Sequence, residues 1–344
     1  MRAWALVALV LLSSSAGCTR KMEQSFSIAY VTYGRGGSST GQLVTIQHTA
    51  QVDWQIASEL ALPREAVLLF PPPYPESTLQ YLTVVSSYPS KAFSLWEVRP
   101  NTGTRFILTR SQRAAVLWVN NPSASMAAVV FVHENHADVR SAEYGRQAVS
   151  LTANLCSLAV IKYAEQEAME VIGSSDYARP GWVNDEHVMY ISRSGYLIDY
   201  DVLLRTCDTL AAGVEAISTA PLTARMAIAY KGDSLRVLGV NDDSGQPAMQ
   251  GAAVPALSPD GSWLAYHSAD HGLWTKELAT GEESELGVGY PVNWSADGQL
   301  LLHFERKLGE QNVPRSFFHI TDVRTGARAT LPDDGFIVDA VLLP

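Results

Sequence analysis

The side chains able to do acid–base or metal chemistry lie far apart along the chain. His187, His267, His303 and His319 fall on four separate segments, so they meet only if the fold wraps those segments around a common axis. Gathered there, they would hold a metal or move a proton, as in a glycan lyase or hydrolase with its site in a central channel. Ordinary zinc spacing is missing. His133-Glu134-Asn135-His136 is one residue short of the helical His-Glu-x-x-His pair, and His267 and His271 flank a loop. Asn241-Asp242-Asp243-Ser244-Gly245 has the oxygen atoms of a calcium loop without its alternating acids and distant Glu, and reads as a turn. The Gly-rich stretch Gly34 to Gly41 lacks the Gly-Lys-Ser/Thr ending of a phosphate-binding loop and joins two strand-like segments, so it reads as a hairpin connection. These patterns assign no residue to catalysis, to a cofactor or to a metal.

The chain specifies its scaffold far more clearly. Ala256 to Gly326 writes one pattern twice: Leu257-Ser258-Pro259-Asp260-Gly261-Ser262-Trp263-Leu264-Ala265-Tyr266 is echoed by Trp294-Ser295-Ala296-Asp297-Gly298-Gln299-Leu300-Leu301-Leu302-His303. Asp297 follows Asp260 by 37 residues, and Gly326, which ends the second copy, follows its counterpart Gly281 by 45. Repeats of this length made of short strands indicate a β-propeller blade. Weaker copies precede them. Trp182-Val183-Asn184-Asp185 stands 75 residues before Asp260, leaving room for one degenerate blade over Arg225 to Val240, and Trp118-Val119-Asn120-Asn121 is read as a further copy of Trp294 to Asp297. Tyr190, Tyr230 and Tyr266 are read as one strand position in three successive blades.

In Ser258-Pro259-Asp260-Gly261 the Pro presets φ, the Asp bonds its own backbone and the Gly accepts positive φ. Asp185, Asp260 and Asp297 are therefore turn residues, and equivalent positions on different blades do not converge as a catalytic pair would. Pro71-Pro72-Pro73-Tyr74-Pro75 cannot lie in a ladder and is expected to cross between blades. The insertion His133 to Asn154 reads as polar and partly helical. Phe336 to Leu343 is an apolar C-terminal strand, which a ring needs so that no edge stays open. The expectation is an all-β chain forming a single β-propeller of six or seven four-stranded blades over residues 26–344, closed by that strand.

Leu-Ser-Pro-Asp-Gly-Ser-Trp-Leu-Ala-Tyr with its downstream Leu-Trp-Thr-Lys-Glu-Leu-Ala-Thr-Gly-Glu resembles the TolB-type, or WD40-like, β-propeller repeat of bacterial periplasmic proteins. The resemblance implies a protein-binding or scaffolding role in the envelope, with partners docking on a face or in the channel, and it supplies no catalytic residues. The insertions Gly34 to Gly41, His133 to Asn154 and Lys307 to Arg315 are the segments expected to make that surface specific.

Met1-Arg2, the apolar run Ala3 to Leu12 and the small residues Ser13 to Gly17 have the layout of an export signal over residues 1–17. The apolar run is too short to span a bilayer, which takes about 20 residues. Ser15-Ala16-Gly17-Cys18 resembles the lipobox of bacterial lipoproteins, which implies lipid modification of Cys18, with sorting to the outer membrane and a periplasmic setting. Residues 18–25 then form a short tether that keeps the body, and with it the partner surface, near the membrane. The formal charge of −10 argues against nucleic acid as a partner. In an oxidising compartment Cys156 and Cys207, 51 residues apart, can pair across neighbouring blades; two reduced core cysteines are the other reading.

Overall fold

The computed structural model describes residues 22–33, 41–51, 54–61, 66–70, 79–87, 90–99, 104–107, 114–123, 125–132, 137–141, 147–151, 156–162, 169–173, 180–232, 234–239, 249–268, 270, 272–308, 314–332 and 336–343. Every regular element among them is a β-strand. The chain opens with β1 (Phe26–Tyr33), β2 (Gln42–His48) and β3 (Gln55–Ala61), and continues through β4 (Ala66–Phe70), β5 (Leu79–Ser87), β6 (Ser90–Arg99) and β7 (Thr104–Ile107). Next come β8 (Ala114–Asn120), β9 (Met126–Val132), the inserted hairpin β10 (Ala137–Ser141) and β11 (Gln147–Leu151), β12 (Cys156–Lys162) and β13 (Met169–Gly173). The central stretch holds β14 (Gly181–Trp182), β15 (His187–Ile191), β16 (Tyr196–Asp201) and β17 (Thr206–Ala212), then β18 (Val214–Ala220), β19 (Arg225–Tyr230), β20 (Ser234–Gly239) and β21 (Met249–Gln250). The last stretch holds β22 (Ala252–Leu257), β23 (Trp263–Ser268), β24 (Gly272–Glu277) and β25 (Glu283–Val288), then β26 (Tyr290–Trp294), β27 (Leu300–Leu308), β28 (Pro314–Asp322), β29 (Arg328–Thr330) and β30 (Phe336–Leu342).

Pairing sorts these strands into seven four-stranded antiparallel sheets, which resolves the choice between six and seven blades. Sheets two to seven run β4 to β7, β8-β9-β12-β13, β14 to β17, β18 to β21, β22 to β25 and β26 to β29. Sheet one runs β30-β1-β2-β3, so the two ends of the chain meet in it. The first strand of each sheet is innermost, and adjoining first strands touch: β18 with β22, β22 with β26, β26 with β30, and β30 with β4.

The core is divided among the spaces between sheets. Leu300, Leu302, Phe304, Phe318 and Ile320 of sheet seven pack on Ile28, Tyr30, Val44 and Ile46 of sheet one. Ala220, Ala227 and Leu235 of sheet five pack on Leu264 and Tyr266 of sheet six. A sheet buried on both faces needs apolar residues at successive positions, which is why Leu300-Leu301-Leu302 is a run and not an alternation. Inner strands are bent by bulges near their starts, at Glu215 in β18, Val254-Pro255 in β22 and Val292 in β26. Each bulge adds local twist where the strand turns in toward the axis.

Strand direction gives the ring two unlike faces. First-to-second and third-to-fourth turns emerge together on one, the turn face, where Val202 N bonds Glu186 O (2.9 Å), Leu278 N bonds Ser262 O (2.8 Å) and Val323 N bonds Gln299 O (3.1 Å). Second-to-third connections and the links between sheets emerge on the other, the loop face, where Val214 N bonds Gly195 O (2.9 Å) and Lys231 N bonds Gly213 O (2.8 Å).

Four local expectations are corrected. Pro71 to Pro75 lies between β4 and β5, which pair with each other, so it is a connection within sheet two and not a crossing between sheets. The insertion after β9 contains an antiparallel hairpin where partly helical structure was expected; Val139 and Val149 face each other in its register, and β-branched residues favour a ladder. Asn121 holds the place of Ser295, not of Asp297: Asn121 N bonds Met126 O five residues on, as Ser295 N bonds Leu300 O. Tyr190 and Tyr266 share the fourth place of their second strands, but Tyr230 is sixth in its own; the fourth place in sheet seven belongs to His303.

Candidate functional site

The three insertions singled out in the sequence are all second-to-third connections: β1 to β2, β9 to β12 and β27 to β28. Topology therefore collects them on the loop face, although they are more than 90 residues apart in the chain. Most of their residues lie outside the described set, but the hairpin β10–β11 is described and its β11 touches β4 of the neighbouring sheet. The described turns of this face also carry cations, with Arg193 exposed between β15 and β16, Lys231 exposed after β19, and Arg306 and Lys307 exposed at the end of β27.

The axis is lined by first strands, and these are poor in chemistry. β22 (Ala-Ala-Val-Pro-Ala-Leu) and β26 (Tyr-Pro-Val-Asn-Trp) carry no charged residue, and the only carboxylates on the seven first strands are Glu215 and Asp339. Asp339 is fully buried and its oxygens accept from Leu69 N and Ala340 N, both at 3.0 Å, so it is bonded to backbone and joins sheet one to sheet two. Asn293 clasps Leu342 in the same manner, with its Oδ1 accepting from Leu342 N (3.2 Å) and its Nδ2 donating to Leu342 O (3.3 Å). Apart from those two carboxylates, the first strands carry neutral side chains.

The four histidines do not meet there. All lie on second or third strands: His187 on β15, His267 on β23, His303 on β27 and His319 on β28. His187 Nδ1 bonds Asp199 Oδ1 at 2.8 Å within its own sheet. His267 Nδ1 bonds the carbonyl of Gly289 at 2.9 Å, and the ring stacks on Tyr290 with centroids 4.1 Å apart. Only His303 and His319 come together, as a cross-strand pair with ring centroids 5.4 Å apart in the interface with sheet six. His303 is fully buried; its Nε2 shares a hydrogen bond with Thr321 Oγ1 (2.9 Å), and its Nδ1 has no protein partner. Burial, then the Arg328 guanidinium and His319, push the His303 pKa well below the usual imidazole value. His319 is also pushed down, by burial and Arg328 against an opposing pull from Glu305. Both rings are neutral packing groups of an interface between blades. Among the described residues no three His, Cys, Asp or Glu side chains are grouped as metal ligands.

The turn acids behave as their spacing implied. Asp260 accepts from Ser258 Oγ and Ser262 Oγ, each at 2.6 Å, and from Ser262 N at 3.1 Å. Partial burial raises its pKa, but these hydrogen bonds outweigh that and the net shift is downward. Asp297 repeats the arrangement with Ser295 Oγ (2.6 Å) and Gln299 N (3.1 Å). Asp185 does something else: it reaches back to the preceding sheet, accepting from Ser123 N (2.8 Å) and Asn121 Nδ2 (3.0 Å).

Cys18, Asn241 to Gly245, His133 to His136 and His271 lie outside the described residues. Cys207 is exposed on the outer strand β17 with a free thiol, so it is neither paired with Cys156 nor, as in the other reading, a core residue. Cys156 opens β12 at its loop-face end, whereas Cys207 lies near the start of β17, at the turn face, and a disulfide needs Cα atoms within about 7 Å. Gly37-Ser38-Ser39-Thr40-Gly41 has the letters of a Gly-x-Ser-x-Gly nucleophile elbow, a match that reading the stretch as a loop passes over. It joins β1 to the antiparallel β2 of the same sheet, where an elbow needs a strand-to-helix turn. No helix among the described residues is long and apolar enough to cross a membrane.

Among solved structures, the chain resembles the C-terminal WD40 domain of Sif2 with a TM-score of 0.54 and 13% identity, over 91% of this chain and 86% of that one. It also resembles TolB from Acinetobacter baumannii with a TM-score of 0.49 and 13% identity, over 93% of this chain and 83% of that one. No protein-family profile matches the chain, and no curated protein sequence does. The likeness to the WD40 domain and the seven four-stranded sheets make the chain a WD40-like β-propeller.

Proposed function

We propose that this propeller is a protein-binding or scaffolding module, held in a bacterial envelope by a lipid on Cys18 and facing the periplasm from the outer membrane. The observation that carries the binding role is the gathering of all three insertions on the loop face of a rigid ring. Variable segments displayed by a fixed scaffold are where propellers and other repeat folds recognise partners. First strands with neutral side chains at the axis, and histidines dispersed into interfaces between sheets, favour contact over chemistry. The anchor rests on Ser15-Ala16-Gly17-Cys18 alone.

The test is affinity capture of the full chain from crosslinked envelopes, beside a form in which residues 309–313 and 142–146 are replaced by short Gly-Ser linkers. A stoichiometric envelope protein retained by the parent and lost from the loop variant supports the reading. Equal capture by both forms, or a sugar or metal retained with no protein, overturns it. Membrane fractionation of Cys18→Ala tests the anchor separately, with release into the soluble periplasm expected.

A further inference from the structure

We infer that the turn face is the membrane-proximal face, and that the propeller stands end-on over the bilayer with its loop face directed away from it. The inference rests on the anchored reading above and adds an orientation to it. It differs from the expectation that a short tether brings the partner surface close to the membrane.

The lead-in to β1 is fixed on the turn face. Met22 is buried in the core between sheets one and seven, Gln24 Nε2 donates to Oδ2 of the turn acid Asp297 at 3.1 Å, and at the other end Leu343 N bonds Ser27 O at 2.9 Å. Cys18 therefore stands only four residues before a fixed point of the body, Met22. Fully extended, those four residues reach about 14 Å. The faces are separated by strands of six to seven residues, about 20 Å at 3.3 Å per residue. An anchor at Cys18 therefore reaches a bilayer lying against the turn face and cannot reach one lying against the loop face.

Charge opposes this pose at close range, so the length of the tether alone carries it. The turn face carries Asp185, Glu186, Asp260, Glu277, Asp297 and Asp322 beside exposed Arg205 and Arg324, and Arg225 donates to the carbonyl of Gly261 at 2.8 Å. Carboxylates facing anionic headgroups repel them within a Debye length, about 8 Å at physiological ionic strength. The loop face, with Arg193, Lys231, Arg306 and Lys307, lies on the far side of the ring. A partner of that face must then carry a domain extending at least about 20 Å from the bilayer, since a membrane-embedded segment cannot touch it.

The experiment places a donor dye on either face of one blade. Leu204→Cys lies in the β16–β17 turn and Ser194→Cys in the β15–β16 turn, both in a Cys207→Ser background whose own labelling gives the contribution of Cys156. The chain from residue 18, with Cys18→Ser, is oxidised by periodate at its N-terminal serine and coupled to an aminooxy-headgroup lipid in neutral vesicles with a headgroup acceptor dye, which keeps the four-residue reach. This makes the result independent of whether cells lipidate Cys18, which the Cys18→Ala fractionation decides. Energy transfer at least twofold more efficient from position 204 than from 194 is the expected result. Equal efficiencies, as for a body lying on its side or tumbling, or the reverse order, overturn the inference.

Discussion

The carboxylate of Asp339, on the C-terminal strand, accepts the backbone N–H of Leu69 on the first strand of the next sheet at 3.0 Å, and the carboxylate is completely buried. One side chain thus ties the sheet that unites the chain ends to its neighbour. Replacing Asp339 with Ala would leave a buried N–H unpaired, a loss of about 1–3 kcal/mol. Asp339→Asn keeps an acceptor oxygen and is expected to lose less. Urea unfolding followed by tryptophan fluorescence measures both, and equal stability of Asp339→Ala and the parent would refute the linkage.

A second tie recurs. The indole Nε1 of Trp294 donates to Ala256 O at 2.9 Å, and that of Trp182 donates to Val119 O at 2.8 Å, each reaching the preceding sheet. Trp182→Phe and Trp294→Phe are each expected to cost about 1 kcal/mol from the lost bond, with further loss from reduced packing. The pairs lie in different interfaces, so the double variant should show the sum within about 0.5 kcal/mol. A large departure from additivity in chemical denaturation would mean that the interfaces communicate.

Gly298 and Gly281 both have positive φ, 69° and 76°. A Cβ at Gly281 meets nothing, whereas one at Gly298 falls 2.9 Å from Asp260 Oδ1 on the preceding blade. Gly281→Ala should cost about 1–2 kcal/mol for its left-handed backbone, and Gly298→Ala more. Melting temperatures of the two variants in one buffer decide it, and an equal drop would show that Asp260 yields freely.

The His303–His319 pair sets a pH dependence. Both folded-state values are depressed below the ordinary imidazole value near 6.5, so on acidification the unfolded chain takes up protons before the folded one. The stability held by the neutral pair is complete above that ordinary value and is lost as pH falls below it. A melting temperature declining from pH 7 to pH 5 is expected, with a shallower slope in His303→Gln. A flat profile in the parent would contradict the burial of the pair.

The sequence made the repeat legible where turn chemistry is strong. Ser258 and Ser295 each accept, through Oγ, the N–H of the residue five places on at 2.9 Å, and the Ser-x-Asp-Gly spelling announces it. Sheet five was legible only by arithmetic, because its turn Ala220 to Ala224 has neither the Ser nor the Asp. Sheets one and two were legible as strands, Phe26 to Tyr33 and Gln42 to Thr49 in the first and Gln80 to Ser86, Ala92 to Arg99 and Thr104 to Thr109 in the second, but not as copies of the repeat. The inner strand of sheet one lies at the opposite end of the chain from its partners, and the turn of sheet two is hidden in a proline run that suggests a boundary. The common face of the insertions could not be read locally, since it follows from strand parity around the ring. His303 was open to a catalytic reading because a buried imidazole and a channel ligand are spelled alike; its place in the slot used by Tyr190 and Tyr266 appears only once the sheets are in register.

The pairing of β1 with β30 also sets the order of assembly. Leu342 follows its partner Ile28 by 314 residues, so forming this ladder closes a chain loop whose entropy cost, by the logarithmic rule, is about 5 kcal/mol. The contacts that repay it exist only when the final strand has been made. Throughout synthesis β1 has no neighbour on its inner edge, and an open edge of Ile28-Ala29-Tyr30-Val31 is a template for another chain. The ring is thus most prone to aggregate just before completion, and a holding chaperone would serve it at that stage.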